Sequence, residues 1–188
     1  MLIIDWNQKR SYGVRTYIKR RIVDGKEEIH FTNPKRGYVE LIHFLNFPQL
    51  HITENQVIDC IFENCGDVYL STDCGHSGCR FDNIKALYCT GKFLTHCEFV
   101  NIQNNGTALV EMQKCRMGSC SFKNVQLLDD AFLVFGHGSS CVYGSKLDNV
   151  TTMRKDGEMF FRDEWHFWPF VNDRTLQNVY GDSQNENL

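Results

Sequence analysis

Two similar segments of the chain carry side chains that could do acid–base chemistry at alternate positions. They read CRFDN at 79–83 and HCEFVN at 96–101. If both are strands in neighbouring layers, their outward side chains come close together. Those side chains are His96, Glu98, Asp82 and Arg80. A histidine, two carboxylates and a cation could cleave a sugar chain, but solvated cross-strand ion pairs have the same pattern, so both hypotheses stay open.

A second chemical candidate is a group of sulfur and imidazole ligands around the segment CGHSGC at 74–79. The ligands would be Cys65, Cys74, His76 and Cys79. Four such ligands are enough for tetrahedral zinc, but the spacing is not that of two close C-x-x-C pairs. We therefore predict no metal and no cofactor, and keep zinc at these four residues as the alternative.

Two further segments have the composition of contact surfaces. The first, VRTYIKRRIV at 14–23, puts basic side chains and a tyrosine on one face of a strand, and its candidate contact residues are Arg15, Lys19 and Arg21. They could bind an acidic protein or a phosphate backbone, or form the solvated face of a cap. The second, DEWHFWPF at 163–170, offers Trp165, Phe167 and Trp168. These aromatic side chains would either anchor a partner or cover the end of a core.

The elements that must position these residues belong to a repeat of about twenty residues. Phrases ending in asparagine occur at 42–46, 60–64, 79–83, 97–101 and 120–124, with weaker copies at 145–149 and 174–178. The asparagines are 18 to 29 residues apart, and an apolar residue or cysteine follows each one. Such spacing is typical of a solenoid whose units share one core. Alternating apolar residues make each phrase a strand, and a second strand follows the asparagine.

Stacking of the units predicts which side chains meet inside. Cys60, Cys79, Cys97 and Cys120 would form one internal column, and the phenylalanines two residues later would form the next. Asparagine tolerates left-handed backbone geometry at a bend, and its amide can bond to the coils above and below. We expect this ladder to satisfy polar groups buried at the bend.

In these phrases, over roughly 42–178, the chain resembles the right-handed parallel β-helix superfamily of pectate-lyase-like proteins, whose coils carry an internal asparagine ladder. The C-x-F-x-N phrase more weakly resembles pentapeptide-repeat proteins, but these coils are not runs of four five-residue units. The resemblance implies an all-β fold, a right-handed parallel β-helix (solenoid) of about six to seven coils. It implies no single activity, because the superfamily includes lyases, hydrolases, isomerases, phage fibres and binding proteins.

The chain divides into three predicted parts. Residues 1–37 form an N-terminal capping β-hairpin that turns at Asp24-Gly25, residues 38–180 form the β-helix, and 181–188 form a disordered tail. Of 188 residues, 42% are apolar, enough for one core. No export signal or membrane span is expected, because MLIIDW meets Asp5 early. Nine cysteines, an odd number, fit a reducing compartment, so we expect cytoplasm, of a bacterial host or a virus-infected cell.

The charge distribution suggests a partner contact at one end of the molecule, although solvation of the surface more often accounts for a split of this size. Residues 1–37 carry nine Lys/Arg against four Asp/Glu, whereas the remainder carries eleven against nineteen. Our leading hypothesis is a non-enzymatic binding protein with a protein partner, such as an inhibitor of a nucleic-acid-handling or defence enzyme; nucleic acid could bind the basic hairpin. The alternatives are a carbohydrate-active enzyme (polysaccharide lyase or glycoside hydrolase) and a structural phage-fibre domain. The sequence leaves the oligomeric state open.

Overall fold

The predicted right-handed parallel β-helix is confirmed by a computed structural model of the protein. The structure describes the backbone of residues 1–8, 17–105, 109–128, 133–135, 140–143, 146–153 and 162–163, and the side chains of 1–8, 17–103 and 109–126. Every regular element within these ranges is a β-strand. No helix in this part of the chain could span a lipid bilayer.

The strands follow the chain in a fixed order. Before the coils come β1 (Leu2–Asp5), β2 (Ile18–Val23) and β3 (Lys26–Phe31). The first three coils contain β4 (Tyr38–Glu40), β5 (Ile42–Leu45), β6 (Gln49–Thr53), β7 (Gln56–Ile58), β8 (Ile61–Glu63), β9 (Asp67–Ser71), β10 (His76–Ser77), β11 (Arg80–Asp82) and β12 (Ala86–Thr90). The next three contain β13 (Phe93–Thr95), β14 (Glu98–Asn105), β15 (Val110–Gln113), β16 (Arg116–Gly118), β17 (Ser121–Leu128), β18 (Leu133–Phe135), β19 (Ser140–Tyr143), β20 (Lys146–Met153) and β21 (Arg162–Asp163).

Three sheets run along the rod, one for each side of the coil. Sheet A has the order β1-β5-β8-β11-β14-β17-β20, sheet B the order β2-β3-β6-β9-β12-β15-β18-β21, and sheet C the order β19-β16-β13-β10-β7-β4. All pairings are parallel except that of β2 with β3. From β4 onward, each coil therefore contributes one strand to sheet C, one to sheet A and one to sheet B.

Identical residues stack inside the rod because the parallel register keeps equivalent positions opposite each other. Phe44, Phe62, Phe81, Phe99 and Phe122 form the predicted column inside sheet A. Their ring centroids are 4.7–5.1 Å apart, close to the spacing of hydrogen-bonded strands. The four cysteines of the repeat are buried beside them, and each thiol donates to a main-chain carbonyl.

The repeat asparagines adopt the left-handed conformation expected for a bend. Asn46, Asn64 and Asn83 lie at the bend between sheets A and B, and Asn101 and Asn124 lie at equivalent positions within β14 and β17. All five have φ between 52° and 61°. Asn83 Nδ2 donates to Asn64 Oδ1 at 2.8 Å, and Asn124 Nδ2 donates to Asn101 Oδ1 at 3.2 Å. The ladder is not continuous, because Asn101 Nδ2 instead donates to Asp82. The expectation that it satisfies buried groups was wrong for this bend, since these four side chains are exposed.

A different asparagine makes buried hydrogen bonds to main-chain groups at a bend. Asn55, at the bend between sheets B and C, is 4% exposed. Its amide donates to the carbonyls of Asn33 and Arg36 and accepts the N–H of Asn33. It therefore fastens the segment after the hairpin to the first coil, where unsatisfied main-chain groups would be costly.

The N-terminal hairpin was predicted correctly, but the strand before it was not. Strands β2 and β3 pair around Asp24 and Gly25, which have φ of 50° and 77°. Strand β3 then joins β6 in sheet B. Strand β1 pairs with β5 and places Ile4 beneath Phe44, so the first residues extend the β-helix rather than the hairpin.

Candidate functional site

A cluster of ionisable side chains lies on the outer face of sheet B, where the hairpin joins the first coil. Glu28 and His30 are two residues apart on β3 and point the same way, and the register places His51 of β6 beside His30. The Nε2 atom of His30 lies 2.7 Å from Glu28 Oε2 and donates to it. One ring nitrogen of each histidine and one Glu28 oxygen all lie within 4.8 Å of one another. We call Glu28, His30 and His51 the hairpin cluster.

Polar atoms around the hairpin cluster lack partners although they are buried. They are His30 Nδ1, His51 Nε2 and, one coil further on, Asp67 Oδ1. The nearest cation to Asp67 Oδ1 is Lys85 Nζ, at the ion-pair distance of 3.5 Å. The only other such atom among the described side chains is Nε2 of His76, on another sheet. Asp67 Oδ1 has this ion pair, which leaves His30 Nδ1 and His51 Nε2 as two unpaired buried atoms in one patch, and buried polar atoms normally have partners.

An external aromatic stack continues from this cluster along sheet B. The ring of His51 stacks on His30 at 4.7 Å and on Tyr69 at 4.1 Å, and Tyr69 stacks on Tyr88 at 4.6 Å. Burial lowers the pKa of His51 and raises the pKa of Tyr69 to about 12. Because the rings cover each other's faces, mainly their edges are left for a ligand. The stack is therefore poorly suited to hold a sugar ring against an aromatic face.

Of the four proposed acid–base residues, three are joined in the structure. Arg80 donates to Asp82 at 2.7 Å and to Glu98 at 3.1 Å, and strand register places Arg80 opposite Glu98. Hydrogen bonding to Asp82 raises the pKa of Arg80, so this cation stays charged. His96 lies at the bend before β14 with φ of 53°, and no hydrogen bond or ion pair of the described residues joins its ring to the other three. The arrangement is that of a surface ion-pair network.

The four proposed zinc ligands do not meet. Cys79 belongs to the cysteine column at the bend between sheets C and A, and Cys65 lies at the bend between sheets A and B. Cys74 is exposed, whereas His76 points into the core, where its Nδ1 accepts the N–H of Val57 at 3.2 Å. Burial raises the pKa of Cys65 to about 11 and lowers the pKa of His76 to about 4. Within the described side chains, the hairpin cluster is the only group of three such ligands with mutual distances this short.

The predicted contact residues are described only in part. Lys19 and Arg21 are exposed on β2, opposite His30 and Glu28 in the antiparallel register. Arg20, between them, pairs with Glu27 at 3.2 Å and lies over the ring of Trp6 at 4.8 Å. The remaining predicted contacts, Arg15, Trp165, Phe167 and Trp168, lie outside the described residues, as do the repeat copy at 174–178 and the tail 181–188.

Two open grooves follow bends of the rod rather than the proposed acid–base face. One, of about 710 Å³, runs along the bend between sheets B and C and is lined by polar residues that include Glu54, Asp73 and Lys92. The other, of about 630 Å³, runs beside the asparagine ladder. Neither groove is lined by His96 or by the Arg80 network. Nothing in their geometry assigns them a substrate.

Sequence reasoning missed the hairpin cluster, although a signal for it was present. The pattern Glu-x-His at 28–30 puts two ligand types on one face of a strand, and His51 belongs to the next strand of the same type. Only the parallel register of β3 with β6 shows that these residues meet. Comparison with family models, with curated proteins and with solved structures found no match.

Proposed function

We propose that the protein is a non-enzymatic binding module that recognises an acidic protein partner through strand β2. The supporting observation is the exposure of this strand. It is the edge of sheet B, and every residue from Lys19 to Val23 is exposed. An edge strand with free main-chain groups can add an extended segment of another protein to its sheet.

The side chains of β2 define the chemistry of that partner. Lys19 and Arg21 form no ion pair with any described residue, in contrast to Arg20 and Arg80. Ile22 is 72% exposed and Val23 is 41% exposed, next to these cations. A partner segment with carboxylates and apolar side chains would complement both features. Electrostatic attraction would mainly raise the association rate and the specificity.

The acid–base hypothesis has less support in the geometry. Arg80 already binds both carboxylates that would act on a substrate, and His96 is not joined to them. Catalytic carboxylates usually lie in environments that shift their pKa values apart, whereas these two share one cation and are partly exposed to solvent. A role as an inhibitor of a nucleic-acid-handling or defence enzyme is one form that the proposed binding function could take.

We also infer that the β-helix is of the pectate-lyase-like kind. Three sheets per coil and an asparagine at the same bend of five successive coils support this inference. A pentapeptide repeat with four five-residue units per coil would instead give four similar faces. The inference concerns the fold and does not bear on activity.

The binding proposal is tested by reversing the two free charges of β2. The wild type and a Lys19→Glu/Arg21→Glu variant are immobilised side by side in extract of the native source, and the affinity of each captured protein is then measured in isolation. We expect at least about tenfold weaker binding by the variant at 0.15 M salt, a factor that corresponds to about 1.4 kcal/mol.

The matched control reverses two exposed cations away from β2, Lys92→Glu at the bend before β13 and Arg116→Glu on β16, with the same change in net charge. This control should bind as the wild type does. Equal weakening by both double variants would show that only overall charge matters and would contradict a site on β2. Loss of capture after nuclease treatment would assign the hairpin to nucleic acid instead.

A further inference from the structure

The hairpin cluster has the composition of a transition-metal site. Two imidazoles and a carboxylate are a ligand set that zinc sites use when one coordination position is left for water or another ligand. Imidazole nitrogen also suits cobalt, nickel and copper ions, whereas magnesium and calcium prefer oxygen. The three side chains come from two segments, so the site exists only in the folded chain.

Burial and missing partners distinguish this group from an ordinary surface cluster. The His30 side chain is 8% exposed and the Glu28 side chain is 23% exposed. His30 Nδ1 and His51 Nε2 both lack a hydrogen-bond partner. Groups that bind a cation through lone pairs would have such unused acceptors.

We propose that Glu28, His30 and His51 bind one divalent transition-metal ion, with Zn²⁺ as the natural occupant. The ion would connect β3 of the hairpin to β6 of the first coil. Asp67 lies one coil above and supplies a second carboxylate near the site. Glu28 would offset one of the two positive charges of the ion, and Asp67, which pairs with Lys85 at 3.5 Å, adds a carboxylate nearby.

The present geometry is close to that of a metal site but requires a local change. Two nitrogens that bind one tetrahedral zinc are about 3.4 Å apart, since each Zn–N bond is about 2.0–2.1 Å. The ligand atoms of the cluster are within 4.8 Å of one another, so the farthest pair must approach by up to about 1.4 Å. The two imidazoles are stacked with an interplanar angle of 20°, so their lone pairs do not converge. One ring must therefore rotate about its Cβ–Cγ bond when the ion enters, and the ion must replace the hydrogen bond between His30 Nε2 and Glu28.

The neighbouring cations do not prevent binding. Lys19 and Arg21 stand opposite His30 and Glu28 on β2, but both side chains are exposed and can turn into solvent. Salt also screens their repulsion of the ion, with a Debye length of about 8–10 Å.

Titration of the full chain with Co²⁺ tests the proposal. The protein is first treated with a chelator, and the visible absorption of Co²⁺ then reports the number and type of ligands. We expect one ion per chain and the spectrum of nitrogen and oxygen ligands, without the near-ultraviolet charge-transfer band of cobalt bound to cysteine. Zn²⁺ should displace the cobalt, and added Zn²⁺ should raise the thermal midpoint.

Three variants locate the site. His51→Gln and Glu28→Gln should each lower the affinity at least about 100-fold, because losing even an outer-shell partner typically costs 10–100-fold. The control is His43→Gln on sheet A, where His43 makes the same kind of bond, 2.9 Å to Glu63, with no second histidine. This control should bind the ion as the wild type does, and both ligand variants should keep the far-ultraviolet spectrum of β structure.

The proposal is overturned if Co²⁺ does not bind at a defined stoichiometry. It is also overturned if binding survives both His51→Gln and Glu28→Gln, or if the spectrum shows thiolate ligands, which would place the ion at cysteines such as the exposed Cys74. None of these results depends on the proposed protein partner.

Discussion

Acid should weaken the fold through one buried histidine. His76 occupies a column inside sheet C whose neighbours are Val57, Leu94 and Met117, and it is 0% exposed. Its Nδ1 accepts the main-chain N–H of Val57, so the ring must be neutral in the folded chain. Burial accordingly lowers the pKa of His76 from 6.5 to about 4.

The size of the effect follows from the difference between the folded and unfolded chains. Between pH 6.5 and pH 4 the unfolded chain binds a proton at His76 and the folded chain does not. Above pH 6.5 His76 is neutral in both states and does not change the free energy of unfolding. As the pH falls from 6.5 toward 4, proton binding by the unfolded chain lowers the free energy of unfolding. The free energy of unfolding should decrease by about 1.4 kcal/mol per pH unit in this window, or about 3 kcal/mol in all, from this residue.

Urea unfolding of the wild type and of His76→Asn at pH 7.5, 6.5, 5.5 and 4.5 isolates this contribution. Asparagine keeps an acceptor near the position of Nδ1 and does not titrate. The variant should be less stable at pH 7.5 because of the cavity that it leaves, but its pH slope should be shallower by about 1 kcal/mol per unit below pH 6.5. His96→Asn makes the same exchange at an exposed bend and should keep the wild-type slope. Equal slopes in the wild type and His76→Asn would refute a neutral, buried His76.

Three other perturbations probe the packing of the rod. Phe81→Ala should lower the free energy of unfolding by about 3–5 kcal/mol, because it removes a fully buried ring that is stacked on both sides. Phe93 is 44% exposed, so the control Phe93→Ala should lower it by only about 1 kcal/mol in the same urea assay. Gly66→Ala should cost about 3 kcal/mol by thermal and urea unfolding, since its Cβ would overlap the Pro48 carbonyl oxygen of the preceding coil, and an unchanged midpoint would contradict this close approach. Brief alkylation of the native protein followed by peptide mapping should label exposed Cys74 and spare Cys60, whose pKa burial raises to about 12; rapid labelling of Cys60 would show that the cysteine column is not closed.

The regular part of the fold was predictable because stacked coils place the same residue types at equivalent positions. The phrases around Phe62, Phe81 and Phe99 repeat an order of small, aromatic and amide side chains, and parallel register turns that order into columns. The strands of sheet C were harder to foresee, since most contain only two or three residues and leave little periodicity to detect. The positions of the asparagines were also predictable, but their exposure was not, because a left-handed bend can point its side chain either way.

The candidate sites show the limit of such reasoning. Arg80 and Glu98 are adjacent as their repeat positions require, yet nothing in the pattern shows that Arg80 would also bind Asp82 and leave His96 apart. The residue types of CGHSGC allowed a common site for thiols and an imidazole as an alternative, although the spacing was against it. The bends of the coil instead direct His76 and Cys79 inward and Cys74 outward.

The sequence by itself determined the solenoid, because local spacing fixes which side chains alternate and a repeat fixes that equivalent ones stack. Tertiary structure alone decided that Glu28, His30 and His51 lie together and that a buried ring nitrogen of each histidine lacks a hydrogen-bond partner. The reason is that the register of the main-chain hydrogen bonds between β3 and β6 decides which of their side chains are neighbours. A shift of this register by one residue would turn these side chains to the other face of the sheet.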